Sequence, residues 1–197
     1  MLEKYTVIDL ETTGLSPQKD KITEIAAIKV KNNKIIDKFE CLVNPEIPIP
    51  VQITEITGIT DSMVYRQKTI DKVLPDLNNF LKDSIIVGHN INFDYSFLKN
   101  NLNKYLNLEI DNKTLCTYKL AKKIFPKIVS CRLNSLCNYF NIENKNAHRA
   151  MSDVLATNNL FLKFQAIMHN NGIQDEIQIL DFFLSNKKLD LSFSTFD

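Results

Sequence analysis

The sequence predicts an α/β fold, a mixed sheet flanked by helices, and three observations carry that prediction. Apolar, β-forming runs crowd the first 43 residues with short links between them. After Gly58 the apolar period changes to that of a helix. One more short apolar run, 84–88, then returns between two helical stretches. Strands first, then helices alternating with strand, is the order of a sheet whose faces helices cover.

Residues 5–11 read as the first strand, entering a turn at Thr12-Thr13-Gly14. Residues 22–30 and 34–43 follow as two more, with Lys31-Asn32-Asn33 as a hairpin turn between them. Short links make these three an antiparallel meander. Asn44-Pro45 and Ile47-Pro48-Ile49-Pro50 break the pattern into a loop, because proline has no amide proton to give a ladder. Val73, Leu74, Leu77, Phe80 and Leu81 recur at helical spacing, and 84–88 reads as a buried strand. Phe97, Leu98 and Leu102 mark a further helix; 115–125 and 133–140 mark two more, the first halted by Pro126. A long apolar stripe over 150–169 (Val154, Leu155, Leu160, Phe161, Phe164, Ile167) stops at Asn170-Asn171-Gly172, residues that favour a helix end.

Beyond Gly172 the character changes. Ile173, Ile177, Leu180, Phe183 and Leu184 fit one helical face, and Leu189, Leu191 and Phe193 then alternate. The expected division is a core domain over 1–172 and a C-terminal appendage over 173–197, an amphipathic helix and tail. The appendage either packs on its own domain or docks on a partner.

The 197 residues are 44% hydrophobic and 24% charged, as in an ordinary globular protein. No apolar run approaches the roughly 20 residues that span a bilayer, and residues 1–8 lack the order of a signal peptide. A cytoplasmic protein with no membrane partner is the expectation. Cys41, Cys116, Cys131 and Cys137 form no CxxC pair and read as buried thiols in a reducing compartment. A net charge of +1 does not itself suggest nucleic acid; local fields would have to supply that attraction.

Three motifs carry the chemistry. Asp9-Leu10-Glu11 places two carboxylates two apart on a strand, so both project to one side. Among Val7, Ile8 and Leu10 such charges lie at the strand end or need a cation, since a buried anion is costly unless paired or bound to metal. Gly88-His89-Asn90-Ile91-Asn92-Phe93-Asp94 ends a strand in a glycine turn and puts Asp94 at a helix start, where the dipole alone would also favour an acid. Asn146-Ala147-His148-Arg149-Ala150-Met151-Ser152-Asp153 sets histidine and aspartate five apart, which is not a one-face spacing. His148 is therefore expected on the lead-in turn of the helix that holds Asp153. With only four glycines in the chain, Gly14 and Gly88 fall in or beside these segments, and Gly58 falls in a further candidate segment, Thr57-Gly58-Ile59-Thr60.

The order Asp9-x-Glu11, Asp94 within Gly-His-Asn-x-x-Phe-Asp, and His148-x-x-x-x-Asp153 resembles the DEDDh exonuclease family. Asp-Leu-Glu-Thr-Thr-Gly-Leu (9–15), Thr57-Gly58-Ile59-Thr60 and Ala147-His148-Arg149-Ala150 are most similar to its DnaQ-like proofreading branch, including the exonuclease domain of PolC-type polymerases. The resemblance covers about 1–170. It implies a ribonuclease H-like, five-stranded mixed sheet and 3′→5′ removal of nucleotides by two Mg²⁺ ions, with Mn²⁺ able to substitute. Asp9 would bridge both ions, Glu11 and Asp153 would complete one site, Asp94 the other, and His148 would be the general base. Thr12, Thr13, Gly14 and Leu15 would meet the terminal nucleotide, while Asn90 and Phe93 would line the strand's path. Thr57 stands where many relatives carry histidine near the terminal bases. The implied partner is a nucleic acid with a free 3′ end: single-stranded DNA first, RNA as the alternative. A DNA polymerase subunit is a candidate partner for the tail. His89 reads as a turn residue, and Lys119, Lys122, Lys123, Lys127 and Arg132 as either a phosphate track or a solvated face.

Overall fold

The computed structural model describes residues 1–189 and 191; Phe193 of the expected tail alternation lies outside them. Alternation along β1 (Lys4–Thr12) sets up two sides. Tyr5 and Val7 enter one core with Ala26 and Ile28, whereas Ile8 and Leu10 enter another with Ile25 and Ala27. Both faces of the central strands are therefore apolar, and both need helices over them.

β1 pairs antiparallel with β2 (Ile22–Lys31), which pairs antiparallel with β3 (Lys34–Leu42). The link holds Asn32 and Asn33 at φ 50° and 62°, the left-handed pair that a tight hairpin uses. On its other side β1 runs parallel to β4 (Ile86–Gly88), and β4 parallel to β5 (Thr114–Cys116), giving the order β3-β2-β1-β4-β5. The five-stranded mixed sheet expected from the sequence is present.

Between β3 and β4 lie α1 (Val51–Thr57), α2 (Asp61–Val64) and α3 (Ile70–Leu81). The first two have no counterpart in the sequence reading, being short and mostly exposed, with Pro50 leading α1 where proline reads only as a break. α4 (Asn92–Leu106) follows β4 and packs with α3 on the Ile8 side. Residues 115–125 are not one helix. Thr114–Cys116 is β5 and α5 (Thr117–Ile124) starts after it, because three strand residues are too few to show alternation before a helical period begins.

α5, α6 (Leu133–Tyr139) and α7 (Ala150–Asn170) cover the Tyr5 side. α7 is anchored across β1: the Tyr5 ring meets Phe161 edge-on at 5.0 Å and its hydroxyl donates to Asn158 Oδ1 at 3.0 Å. α8 (Glu176–Leu184) opens with a capping box between Asp175 and Gln178. Its buried residues are Ile179 and Phe182, while Ile177 and Leu184 are 71% and 78% exposed. The inward face is thus rotated from the one the spacing suggested. Lys123 Nζ donates to the carbonyls of Ser185 and Lys187, and Leu189 N donates to Lys123 O. The Met1 amino group hydrogen-bonds Gln174 O, and Leu2 N donates to Gln165 Oε1. Among the described residues no helix is long and apolar enough to cross a membrane.

Candidate active site

Asp9 and Glu11 continue the row of Tyr5 and Val7, so β1 carries its two acids on the face that α7 covers. Asp153 occupies the first turn of α7. The two elements bring one carboxylate oxygen from each of Asp9, Glu11 and Asp153 within 4.8 Å of one another.

Asp94 arrives from the other direction. Thr6 N donates to Ile85 O on the β4 side, and Leu10 points its N–H the same way, beyond the end of β4. Asp94 Oδ1 accepts that proton at 3.0 Å, serving as the strand partner β4 no longer supplies. Gly88 makes this approach feasible. A Cβ there would lie 2.6 Å from Ile91 Cδ1 and 3.3 Å from Ile8 O, so any larger residue would have to displace Ile91 where α4 begins beside β1.

The acids are crowded electrostatically. Burial pushes the Asp9 carboxyl well above the usual range, and Asp94, Glu11, Asp153 and Glu24 push it further. Glu11 rises to about 8 through burial, then Asp153, Glu24 and Asp94, with Arg149 opposing. Asp94 rises to about 7 through burial, partly offset by backbone N–H groups, including that of Leu10. Carboxyls this reluctant to ionise mark a site short of positive charge. Hard oxygen donors in a tight group suit a divalent cation of the Mg²⁺ or Mn²⁺ class, so the residues present fit a metal.

His148 sits on the lead-in turn to α7, exposed, with φ 67°. Its backbone N donates to Asp153 Oδ2 at 3.1 Å. Asn144 Nδ2 donates to Asp153 Oδ1 at 2.7 Å, and Ser152 Oγ donates to Asn144 Oδ1. Asp153 and His148 line a cleft of about 790 Å³ with Asn90, Tyr118, Arg132 and Asn134.

The remaining predicted residues divide into two groups. Thr12 Oγ1 donates to Gly14 O, and Thr13 Oγ1 accepts from Lys21 N. Asp20 braces this turn by accepting from Ser16 N at 2.8 Å, and its carboxylate occupies the place a Cβ on Gly14 would need. Leu15 is left 84% exposed at the tip. Asn90, at φ 63°, opens onto the cleft. Phe93 is half-buried against Phe97, ring centroids 5.0 Å apart. Thr57 is the last residue of α1. It is buried, donates to Ile53 O at 2.9 Å and accepts from Ile59 N at 3.1 Å, so its hydroxyl closes the end of α1.

His89 Nδ1 and Thr117 Oγ1 are hydrogen-bonded at 2.8 Å, and burial pushes its pKa down to about 4. It is a neutral imidazole bracing the turn after β4 against α5. Of the basic residues, Lys123 is turned to the segment after α8, Lys122 lies 4.7 Å over the Tyr118 ring, and Arg132 lines the cleft.

Two residues at the site were not singled out from the sequence. Asn144 gives no signal in its polar, irregular surroundings. Glu24 does give one: an acid inside Ile22-Thr23-Glu24-Ile25-Ala26-Ala27-Ile28, a run otherwise buried, must have a partner. That partner is Arg149.

The chain belongs to the exonuclease family: the family named RNase_T and described as Exonuclease matches residues 6–161. It is 40% identical over 176 residues to DNA polymerase III PolC-type of Caldanaerobacter subterraneus subsp. tengcongensis, covering 89% of this chain and 12% of that protein. The chain thus spans about an eighth of the length of such relatives. It is 37% identical over 172 residues to DNA polymerase III subunit epsilon of Aquifex aeolicus, covering 87% of this chain and 85% of that one. Among solved structures, exonuclease X in complex with 5′ overhanging duplex DNA is similar at a TM-score of 0.72 and 29% identity, over 93% of this chain and 99% of that one. E. coli exonuclease I in complex with a dT13 oligonucleotide, at TM-score 0.75 and 19% identity over 90% and 45%, shares the fold.

Proposed function

We propose that the chain is a metal-dependent 3′→5′ exonuclease that releases nucleoside 5′-monophosphates from the 3′ end of DNA, single-stranded by preference. The observation that carries this reading is the convergence of Asp9, Glu11 and Asp153 within 4.8 Å, in surroundings where burial and the neighbouring acids disfavour ionisation of Asp9 and Glu11 without a cation. Relatives that are polymerase III components support a proofreading setting.

Asp9, Glu11 and Asp153 would hold one Mg²⁺, and Asp94 with Asp9 a second, with Mn²⁺ as substitute. Bound there, such a pair lowers the pKa of an attacking water and stabilises negative charge on the leaving 3′-oxygen. His148, open to solvent at the rim of the Asp153 cleft, would take the water's proton, a role that suits an imidazole near neutral pH. The braced turn at 12–15 would seat the terminal nucleotide, with exposed Leu15 offering it an apolar contact. Asn90 and Phe93 would flank the strand beyond, Phe93 offering an apolar face to a base or sugar.

The test is digestion of 5′-end-labelled single-stranded DNA with Mg²⁺, beside matched RNA. Wild type is expected to shorten DNA stepwise from the 3′ end and release 5′-monophosphates, with EDTA stopping the reaction. Asp9→Asn is expected to lose on the order of 10³-fold or more in rate, because one carboxylate serves both ions. Undiminished Mg²⁺-dependent release by Asp9→Asn would remove the enzymatic assignment. Equal or faster loss of RNA would overturn the choice of DNA.

A further inference from the structure

Glu24 is a fifth acid beside the cluster and is only 2% exposed. It faces Glu11 directly across the β1–β2 ladder. A metal ligand at this position would keep its oxygens free, and Glu24 does not. Its Oε1 accepts from Arg149 Nε at 3.1 Å and Nη2 at 2.6 Å, and its Oε2 accepts from Arg149 Nε at 3.2 Å and Ala150 N at 2.9 Å. Both oxygens are spent on two consecutive residues, and those two directly follow His148.

The backbone explains what this grip does. His148 is at φ 67°, a left-handed conformation that is uncommon for residues other than glycine. Arg149 is extended, at φ −120° and ψ 124°, and α7 begins at Ala150. His148 is tied on both flanks. On the outer side, His148 N is fixed to Asp153 Oδ2; on the inner side, the fork of Arg149 and the amide of Ala150 are fixed to Glu24.

We infer that Glu24 and Arg149 are positioning residues that hold His148 at the rim of the cleft. The inference rests on the proposed role of His148 as base. The carboxylate lies on the same sheet as Asp9 and Glu11, so the clamp references the histidine turn to the strand that carries the reacting centre. Arg149 suits this task because its planar fork spans two oxygens at once, which a lysine ammonium cannot do.

The test is a double-mutant cycle on Mg²⁺-dependent release of nucleotide from single-stranded DNA. Arg149→Lys keeps the charge that buried Glu24 requires but loses the fork. The double variant Glu24→Gln/Arg149→Met removes both charges together and covers the case in which Arg149→Lys does not fold. With His148 in place, each is expected to lower kcat on the order of 10- to 100-fold, with KM and calorimetric Mg²⁺ affinity changed by less than about 2-fold. In a His148→Ala background the same changes are expected to cost less than about 2-fold more, since a positioning effect has nothing left to position. An equal loss in both backgrounds, or a loss matched by weaker Mg²⁺ binding, overturns the inference while leaving the exonuclease reading intact. An inactive wild type overturns the exonuclease reading first, and this one with it.

Discussion

At the scale of single residues, the site's chemistry follows from charge held where water is scarce. Glu11 moves from 4.5 to about 8, and Asp94 from 3.8 to about 7. Each therefore binds its proton more tightly folded than unfolded. Such a group contributes stability that is full below the unfolded value and is lost as pH rises through the folded value. Without divalent cation, the thermal midpoint is expected to fall from about pH 5 to about pH 8, most steeply near 5.5 to 6.5, between the unfolded and folded values, and to level off above that. Mg²⁺ bound as proposed would need the folded, ionised site, so the midpoint gain it gives is expected to grow across that range. Scanning fluorimetry with and without Mg²⁺ checks this, and an equal gain at both ends would contradict it. Asn144 offers a second check. It fixes one oxygen of Asp153 at 2.7 Å, so Asn144→Ala is expected to weaken Mg²⁺ binding on the order of 10-fold, read by calorimetry.

At the scale of elements, legibility depended on how much of the chain each feature needed. The two acids of β1 were readable because alternation is local: residues two apart share a face. Asp94 and Asp153 were readable as helix-start acids, but their approach to Asp9 rests on where β4 stops and where α7 crosses, which no short window encodes. β5 and α1 escaped because three strand residues and a mostly exposed seven-residue helix show no period. Glu24 was visible as an anomaly in an apolar run, yet its partner lies 125 residues away. The β4–α4 junction gives the prediction at this scale. Gly88→Ala puts a methyl group against Ile91 and the Ile8 carbonyl, and is expected to cost about 1–3 kcal/mol and to displace Asp94 from Leu10 N. Denaturant unfolding measures the first effect and a drop in Mg²⁺ affinity the second. A variant as stable as wild type would show that the contact yields easily.

At the scale of the whole molecule, two apolar cores sandwich one sheet, and the acids sit where α7 and α4 meet the C-terminal end of its central strand from opposite faces. We propose that the site belongs to 1–172 and that the segment from 173 supports it from behind. Ile179 and Phe182 join the same core as Val154 and Phe161, and Lys123 ties the two parts together. Deleting 173–197 is then expected to lower stability by several kcal/mol, at about 2 kcal/mol for each large apolar side chain removed from the core. An unchanged thermal midpoint would speak for an independent tail. The central claim, that distant acids cage a pair of cations, is tested most directly by anomalous diffraction from crystals soaked in Mn²⁺ with a nucleoside 5′-monophosphate. Two anomalous peaks about 3.5–4 Å apart, bridged by Asp9 and flanked by Glu11, Asp94 and Asp153, are predicted. No peak at these carboxylates, with Mn²⁺ bound elsewhere, would contradict the account.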